Sequence, residues 1–252
     1  MESEIRRILG TFGATAPTAQ KKDGAIYEAW ILLRIAEGLR AAPFLAQLCD
    51  AKGIALTGGN PFVLKGGPGK LGTGQACMVR FNWSGVRHEL HANVRYRGRS
   101  SETHEIDISV VPESVATQLR NAGGGFPTGF PRVAIECKHR NSVGQKDEAR
   151  QVVARLFDLH FLNSHPFPIS GQKHHIWPDA AYGMGYGETA SSYKASFDRC
   201  FNGLCRFGGV TPGAARFLSF NNVTTLTQLR VGAAASVDVV NEVVNFLSRQ
   251  RP

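Results

Sequence analysis

Two runs of alternating residues, ELHANVRYRG and HEIDISVVPE, stand side by side in mid-chain with only the polar RSSET region between them. An extended chain sends residues two apart to the same face. The two runs therefore predict an antiparallel hairpin. In the second run Ile106, Ile108 and Val110 are expected on one face and Glu105, Asp107 and Ser109 on the other. A hairpin with one apolar face needs a partner layer, and the flanking sequence supplies helices to cover it.

The stretch DGAIYEAWILLRIAEGLRAAPFLAQL predicts a helix from Asp23, with Asp23 as N-cap and Pro43 dividing or kinking it. A second helix is expected over Gln145 to Phe161, with Ala149, Val152, Val153, Leu156 and Leu159 as its apolar stripe. Between hairpin and second helix come a glycine-rich connection, NAGGGFPTGFP, and a short strand, RVAIECKHR. Residues 1–22 read as a short helix and an arm, and residues 57–74 as glycine-rich loops. Towards the C-terminus, SSYKASFDRCFNGLCRF reads as helical, ARFLSFNNV as a strand and VDVVNEVVNFLSRQ as a closing helix. The fold class expected is α/β, a mixed central sheet flanked by helices with C-terminal helical additions. Residues 1–252 are read as one domain, with a core over about 23–162 and further elements over 163–252.

Of the 252 residues 42% are hydrophobic, enough to bury a core and to argue against disorder. Lys and Arg total 29 against 20 Asp and Glu, and the formal charge of +9 favours a polyanionic partner such as nucleic acid. A soluble protein that is merely basic remains the other reading of that charge. The opening MESEIRRILG has no apolar segment of a secretory leader, and no apolar run is long enough to span a bilayer. Five scattered cysteines without a CxxC pair suit reduced thiols, so a cytoplasmic location is expected.

The strand RVAIECKHR carries the chemistry. Val133, Ile135 and Cys137 alternate with Ala134, Glu136 and Lys138, so an acid and an amine share the second face. If this strand neighbours HEIDISVV, Asp107 and Glu136 converge with Lys138 beside them. The first helix contributes Glu28, aligned with Ile31, Leu32, Ile35 and Leu39 on the face expected to be buried. A carboxylate there requires a partner, although the helix N-terminus also favours an acid. Hard oxygen ligands suit Mg²⁺, which usually takes one or two protein carboxylates and keeps several waters. The ion polarises phosphoryl oxygens and acidifies water. A lysine beside it orients that water and offsets charge in the transition state.

This arrangement resembles the PD-(D/E)XK nuclease superfamily, the restriction-endonuclease-like fold. The resemblance covers about residues 23–162: a helix with Glu28, a hairpin ending in Asp107, the E-x-K of Glu136 and Lys138, and a following helix. The family core runs helix, three antiparallel strands, helix, strand. Ile106 stands where the family's naming proline would be. The resemblance implies that Asp107, Glu136, the Cys137 carbonyl and Glu28 hold Mg²⁺, for which Mn²⁺ substitutes. It makes Asp107, Glu136, Lys138 and Glu28 the catalytic set, with Gln145 supporting it. The activity implied is metal-dependent endonucleolytic cleavage, foremost of double-stranded DNA, in restriction or anti-phage defence. A homo-oligomer and an activating protein or nucleotide partner are within the family's habits.

Arg95, Arg97, Arg99, His139, Arg140 and Lys146 are candidates for phosphate-backbone contacts, the alternative being a solvated basic surface. Arg87 also lies near this group. Other local patterns are set aside. GPGKLG (67–72) has no parallel-strand unit after it and reads as a mobile loop. HELH (88–91) lacks zinc-ligand spacing, His174 and His175 have no evident partner ligands, and SSYK (191–194) reads as helix surface. Two alternatives to an active nuclease stay open: a non-catalytic nucleic-acid-binding or scaffold subunit with a nuclease-like fold, and plain salt bridges at a sheet end.

Overall fold

A computed structural model describes residues 1–16, 23–98, 100–159 and 200–249. Arg99, His174, His175 and the SSYK stretch lie outside the described residues.

The fold is α/β. Helices α1 (Glu2–Thr11) and α2 (Asp23–Gly38) precede strands β1 (Gln47–Cys49), β2 (Met78–Trp83), β3 (Val86–Arg97) and β4 (Thr103–Pro112). Then follow α3 (Glu113–Asn121), β5 (Val133–Lys138), α4 (Lys146–Leu159), β6 (Phe201–Arg206), α5 (Pro212–Phe220), β7 (Thr224–Leu226) and α6 (Ala235–Arg249). The seven strands form one sheet in chain order. Pairing is antiparallel from β1 through β5 and parallel for β5–β6 and β6–β7, so the sheet is mixed.

Local chemistry accounts for several of these elements. β2 and β3 join through Ser84 and Gly85, both with positive φ (47° and 83°), between the paired residues Trp83 and Val86. Two left-handed residues in such a turn match the twist of the flanking strands, and glycine takes that conformation without strain. α5 starts with Pro212 after Thr211, whose hydroxyl accepts from the Ala214 N–H. α2 is apolar on nearly every side: Tyr27, Ala29, Trp30, Ile31, Leu32, Leu33, Ile35 and Ala36 are all buried. A helix of that kind needs cover all round, and α2 lies between the sheet and helices α1 and α6.

The core has two layers, one on each sheet face. Under α1, α2 and α6 lie Leu90, Ile108, Val110, Val133, Ile135 and Cys137. Under α3, α4 and α5 lie Val94, Tyr96, Ile106, Val111, Ala134 and Leu204. Ile106 thus sits on the opposite side from Ile108 and Val110, contrary to the expected alternation. Across the hairpin, Leu90 and Val94 divide in the same way. The switch falls at Asn93, whose φ of 53° breaks the period of two while the pairs on either side, Ala92 with Ile108 and Val94 with Ile106, keep register. Asn is among the few side-chain-bearing residues that tolerate this conformation.

Other expectations change as well. Residues 201–206, read as helix, form β6, and residues 212–220, within which a strand was expected, form α5. β6 and β7 extend the central sheet, so the C-terminal part is not only helical. Burial explains the misreading: every residue of β6 is buried, and a strand covered on both faces loses its alternation. Helix α3 stands where only a connection was read. α2 ends at Gly38, ahead of Pro43. The GPGKLG stretch is hydrogen-bonded along β3 instead of open, with Gly69 N–H donating to Asn93 O and Arg95 N–H to Gly69 O. No helix among the described residues is long and apolar enough to cross a membrane.

Candidate active site

The ladder between β4 and β5 runs from Val110 with Val133 to Ile108 with Ile135 and stops there. The next residues on the two strands are Asp107 and Glu136. Where the backbones part, the Cys137 N–H loses its place in the ladder and donates to Asp107 Oδ2 at 2.7 Å. β5 meanwhile stays paired with β6, Glu136 opposite Leu204 and Lys138 opposite Arg206. The opening therefore brings Asp107 of β4 to Glu136 and Lys138 of β5, strands that are far apart in sequence.

Asp107 and Glu136 are buried, at 7% and 6% exposure. Glu136 Oε1 accepts from Arg155 Nη1 of α4 at 2.9 Å and from Lys138 Nζ. Glu28 enters from α2, half-buried, and accepts from Asn93 Nδ2 at 2.9 Å. Glu105, also half-buried, lies in register with Arg95. Burial pushes the Asp107 carboxyl well above the usual carboxylate range, and the Glu136 charge pushes the same way. Burial likewise raises Glu28, against the Asn93 hydrogen bond, and raises Glu105 with help from Glu136. Burial works to lower Lys138, but Glu136 and Asp107 outweigh it and hold its ammonium above the ordinary lysine value. The site is a crowd of acids short of positive charge.

Such a set fits a hard cation. Its donors are oxygens alone, and a bound cation would offset both the burial and the Glu136 repulsion that lift Asp107. Among the described residues no three His, Cys, Asp or Glu side chains form a metal-holding group. The pair Asp107 and Glu136, with the Cys137 carbonyl and waters, is accordingly the arrangement that a Mg²⁺ ion would meet, while Glu28 is held by Asn93.

The remaining candidates are spread out. His139 is half-buried against Tyr27 and Phe207, with ring centroids 5.2 and 4.8 Å away. Arg95, Arg97, Arg140 and Lys146 are exposed. Arg87 lies at the far end of β3, 2.7 Å from Glu113. Gln145 stands exposed ahead of α4 and donates to the Val143 carbonyl, and the α4 side chain that meets Glu136 is Arg155. His88 of HELH is a buried ring between Phe81 and Trp83, and Cys200 and Cys205 are buried.

Sequence reasoning missed Asn93, Glu105 and Arg155. Asn93 had a signal, since asparagine is depleted in strands and favoured at positive φ. Arg155 follows Val152 by three positions, at the edge of the α4 stripe, where a long basic side chain reaches past the apolar contact. Comparison of the chain with protein-family models, with curated proteins and with solved structures found no match.

Proposed function

We propose that the protein is a metal-dependent nuclease with a restriction-endonuclease-like core, hydrolysing phosphodiester bonds in DNA. The observation that carries this reading is the meeting of Asp107 and Glu136 where the β4–β5 ladder opens, with Lys138 on Glu136. The element order supports it: with β1, β2 and α3 as additions, it runs α2, then β3, β4 and β5 with each strand antiparallel to the next, then α4 and a strand parallel to β5.

Asp107, Glu136 and the Cys137 carbonyl would hold Mg²⁺ or Mn²⁺. The cation supplies positive charge at the phosphoryl oxygens and an acidified water. Lys138 keeps its proton at neutral pH and so acts first as a hydrogen-bond donor and counter-charge at the phosphate. Arg155 donates to the same Glu136 oxygen as Lys138, and Asn93 holds Glu28 next to the acids. Exposed Arg95, Arg97 and Arg140 suit contacts along the phosphate backbone. The resemblance extends the proposal to a cytoplasmic restriction or anti-phage role, a homo-oligomer and an activating partner.

A non-catalytic nucleic-acid-binding subunit is the second reading. It is favoured by Glu136 already carrying two cations, Lys138 and Arg155. Cleavage of supercoiled plasmid, linear duplex, single-stranded DNA and RNA in EDTA, Mg²⁺ or Mn²⁺, beside Lys138→Ala, tests the proposal. Metal-dependent cutting lost in the variant is expected. Without cutting, a Mg²⁺ or Mn²⁺ titration that finds no site sensitive to Asp107→Ala would establish the binding subunit instead.

A further inference from the structure

One residue beyond Lys138, the chain builds a layered cluster of rings and a cation. His139 lies on Tyr27, the residue before Glu28, and meets Phe207 edge-on at 4.8 Å between centroids. The Arg230 guanidinium covers the Phe207 ring with Cζ 4.6 Å from its centroid. Tyr27 is fully buried beneath, His139 and Phe207 are half-buried, and Arg230 is exposed. Among the described residues Arg230 makes no ion pair. The cluster grades from the core to an exposed cationic plane.

Its backbone is tied to the catalytic strand. The Phe207 N–H donates to Lys138 O at 3.0 Å, and the Leu229 N–H to Arg206 O at 3.1 Å, which brings Arg230 over the ring. Below, the buried Arg206 pairs with Glu148 at 2.7 Å and donates to the Ser142 and Gly209 carbonyls. The rings are thereby fixed relative to Lys138 and Glu28.

We propose that His139, Phe207 and Arg230 form a stacking platform for an unpaired base beside the scissile phosphate, so that the preferred substrate is single-stranded at the site. The inference rests on the nuclease reading of Asp107, Glu136 and Lys138. A base inside a duplex has both faces covered by its neighbours and cannot lie on an external plane, whereas a base in a single strand, flap or frayed end can. Aromatic rings and guanidinium planes accept any base, and the positive charge serves the adjoining phosphate. The expected double-stranded substrate is thus narrowed to one opened at the cleavage point.

Fluorescence anisotropy in EDTA reads binding without cleavage, using a labelled single-stranded DNA, the RNA of the same sequence and the blunt DNA duplex. The native protein is expected to bind one or both single strands at least about tenfold tighter than duplex. Base stacking of about 1–3 kcal/mol corresponds to a loss of roughly 5- to 150-fold on single strands when the platform is dismantled, and Phe207→Leu does this by keeping the buried volume while removing the ring that seats the Arg230 plane. Arg230→Gln, at an exposed position, should lose single-strand affinity in the same sense, with duplex binding unchanged in both. Equal losses on duplex and single strand, no loss in Arg230→Gln, or no preference for either single strand would overturn the platform. The DNA and RNA arms identify the sugar preferred. The two claims separate: if the native protein shows no metal-dependent cleavage and no Mg²⁺ or Mn²⁺ site sensitive to Asp107→Ala while the stacking losses persist, the nuclease reading falls and the base-stacking surface stands. If cleavage is lost in Lys138→Ala but the stacking losses are absent, only the platform falls.

Discussion

Asn93, in the middle of β3, holds Glu28 of α2 through a 2.9 Å hydrogen bond from its side-chain amide. Its left-handed backbone also turns β3 over, so that one residue sets the alternation of the hairpin and steadies an acid of the site. Non-glycine residues in that conformation concentrate where the surrounding structure has a use for the strain.

Asn93→Gly keeps the backbone conformation and removes the amide. Losing a hydrogen bond to a half-buried acid should lower stability by about 1 kcal/mol, read as a urea midpoint, and reduce metal-dependent cleavage. Asn93→Val loses the amide and adds a β-branched residue at positive φ, so it should be less stable than Asn93→Gly.

Lys138→Ala and Arg155→Ala remove different neighbours of Glu136. Lys138→Ala is expected to reduce cleavage about a hundredfold or more while the fold persists by circular dichroism. Arg155→Ala should act through Glu136, weakening metal affinity and shifting activity towards higher Mg²⁺ concentration. If Arg155→Ala leaves the Mg²⁺ dependence unmoved, the Arg155–Glu136 pair has no bearing on the metal site.

Acid stability should fall in two stages. His88 is buried between Phe81 and Trp83, and burial pushes its pKa down to about 4 from 6.5. A base depressed in the folded state contributes stability above 6.5 that is lost as pH falls towards 4, on the order of 3 kcal/mol. Glu89 is fully buried. Burial alone would raise it, but hydrogen bonds from His91 and Arg120 overcome that and hold it at about 2. Its contribution, present above 4.5, is lost between there and about 2. Urea midpoints against pH should show the first decline vanish in His88→Phe, and Glu89→Gln should weaken the second.

Gly208 passes close under the loop that follows Lys138. A methyl group there would lie 2.7–3.0 Å from the carbonyl oxygens of Arg140, Asn141 and Ser142. Backbone cannot yield as a side chain does, so Gly208→Ala should lower stability by about 1–3 kcal/mol. Gly209→Ala, with no atom within 4 Å of the added carbon, should stay within about 0.5 kcal/mol of the native protein in the same thermal melt.

Helix α2, the hairpin of β3 and β4, strand β5, helix α4 and closing helix α6 were legible in the sequence: α4 and α6 have a covered face and an open one, while α2 and β5, covered on nearly every side, stand out as apolar runs. Asp107, Glu136 and Lys138 also stood out, as charged residues on otherwise apolar strands, and Glu28 as an acid on an apolar helix face, whereas Glu105 did not. What the sequence by itself determined was which side chains each element carries. Tertiary structure decided which of them meet: β4 and β5 part at Asp107 and Glu136, Arg155 arrives from α4, and Phe207, just past the end of a strand read as helix, is hydrogen-bonded to Lys138. β6 is buried throughout and has no periodicity to announce it. The turn-over at Asn93 came from one backbone angle that its side chain uses to reach another helix, a pairing that exists only once α2 lies across the sheet.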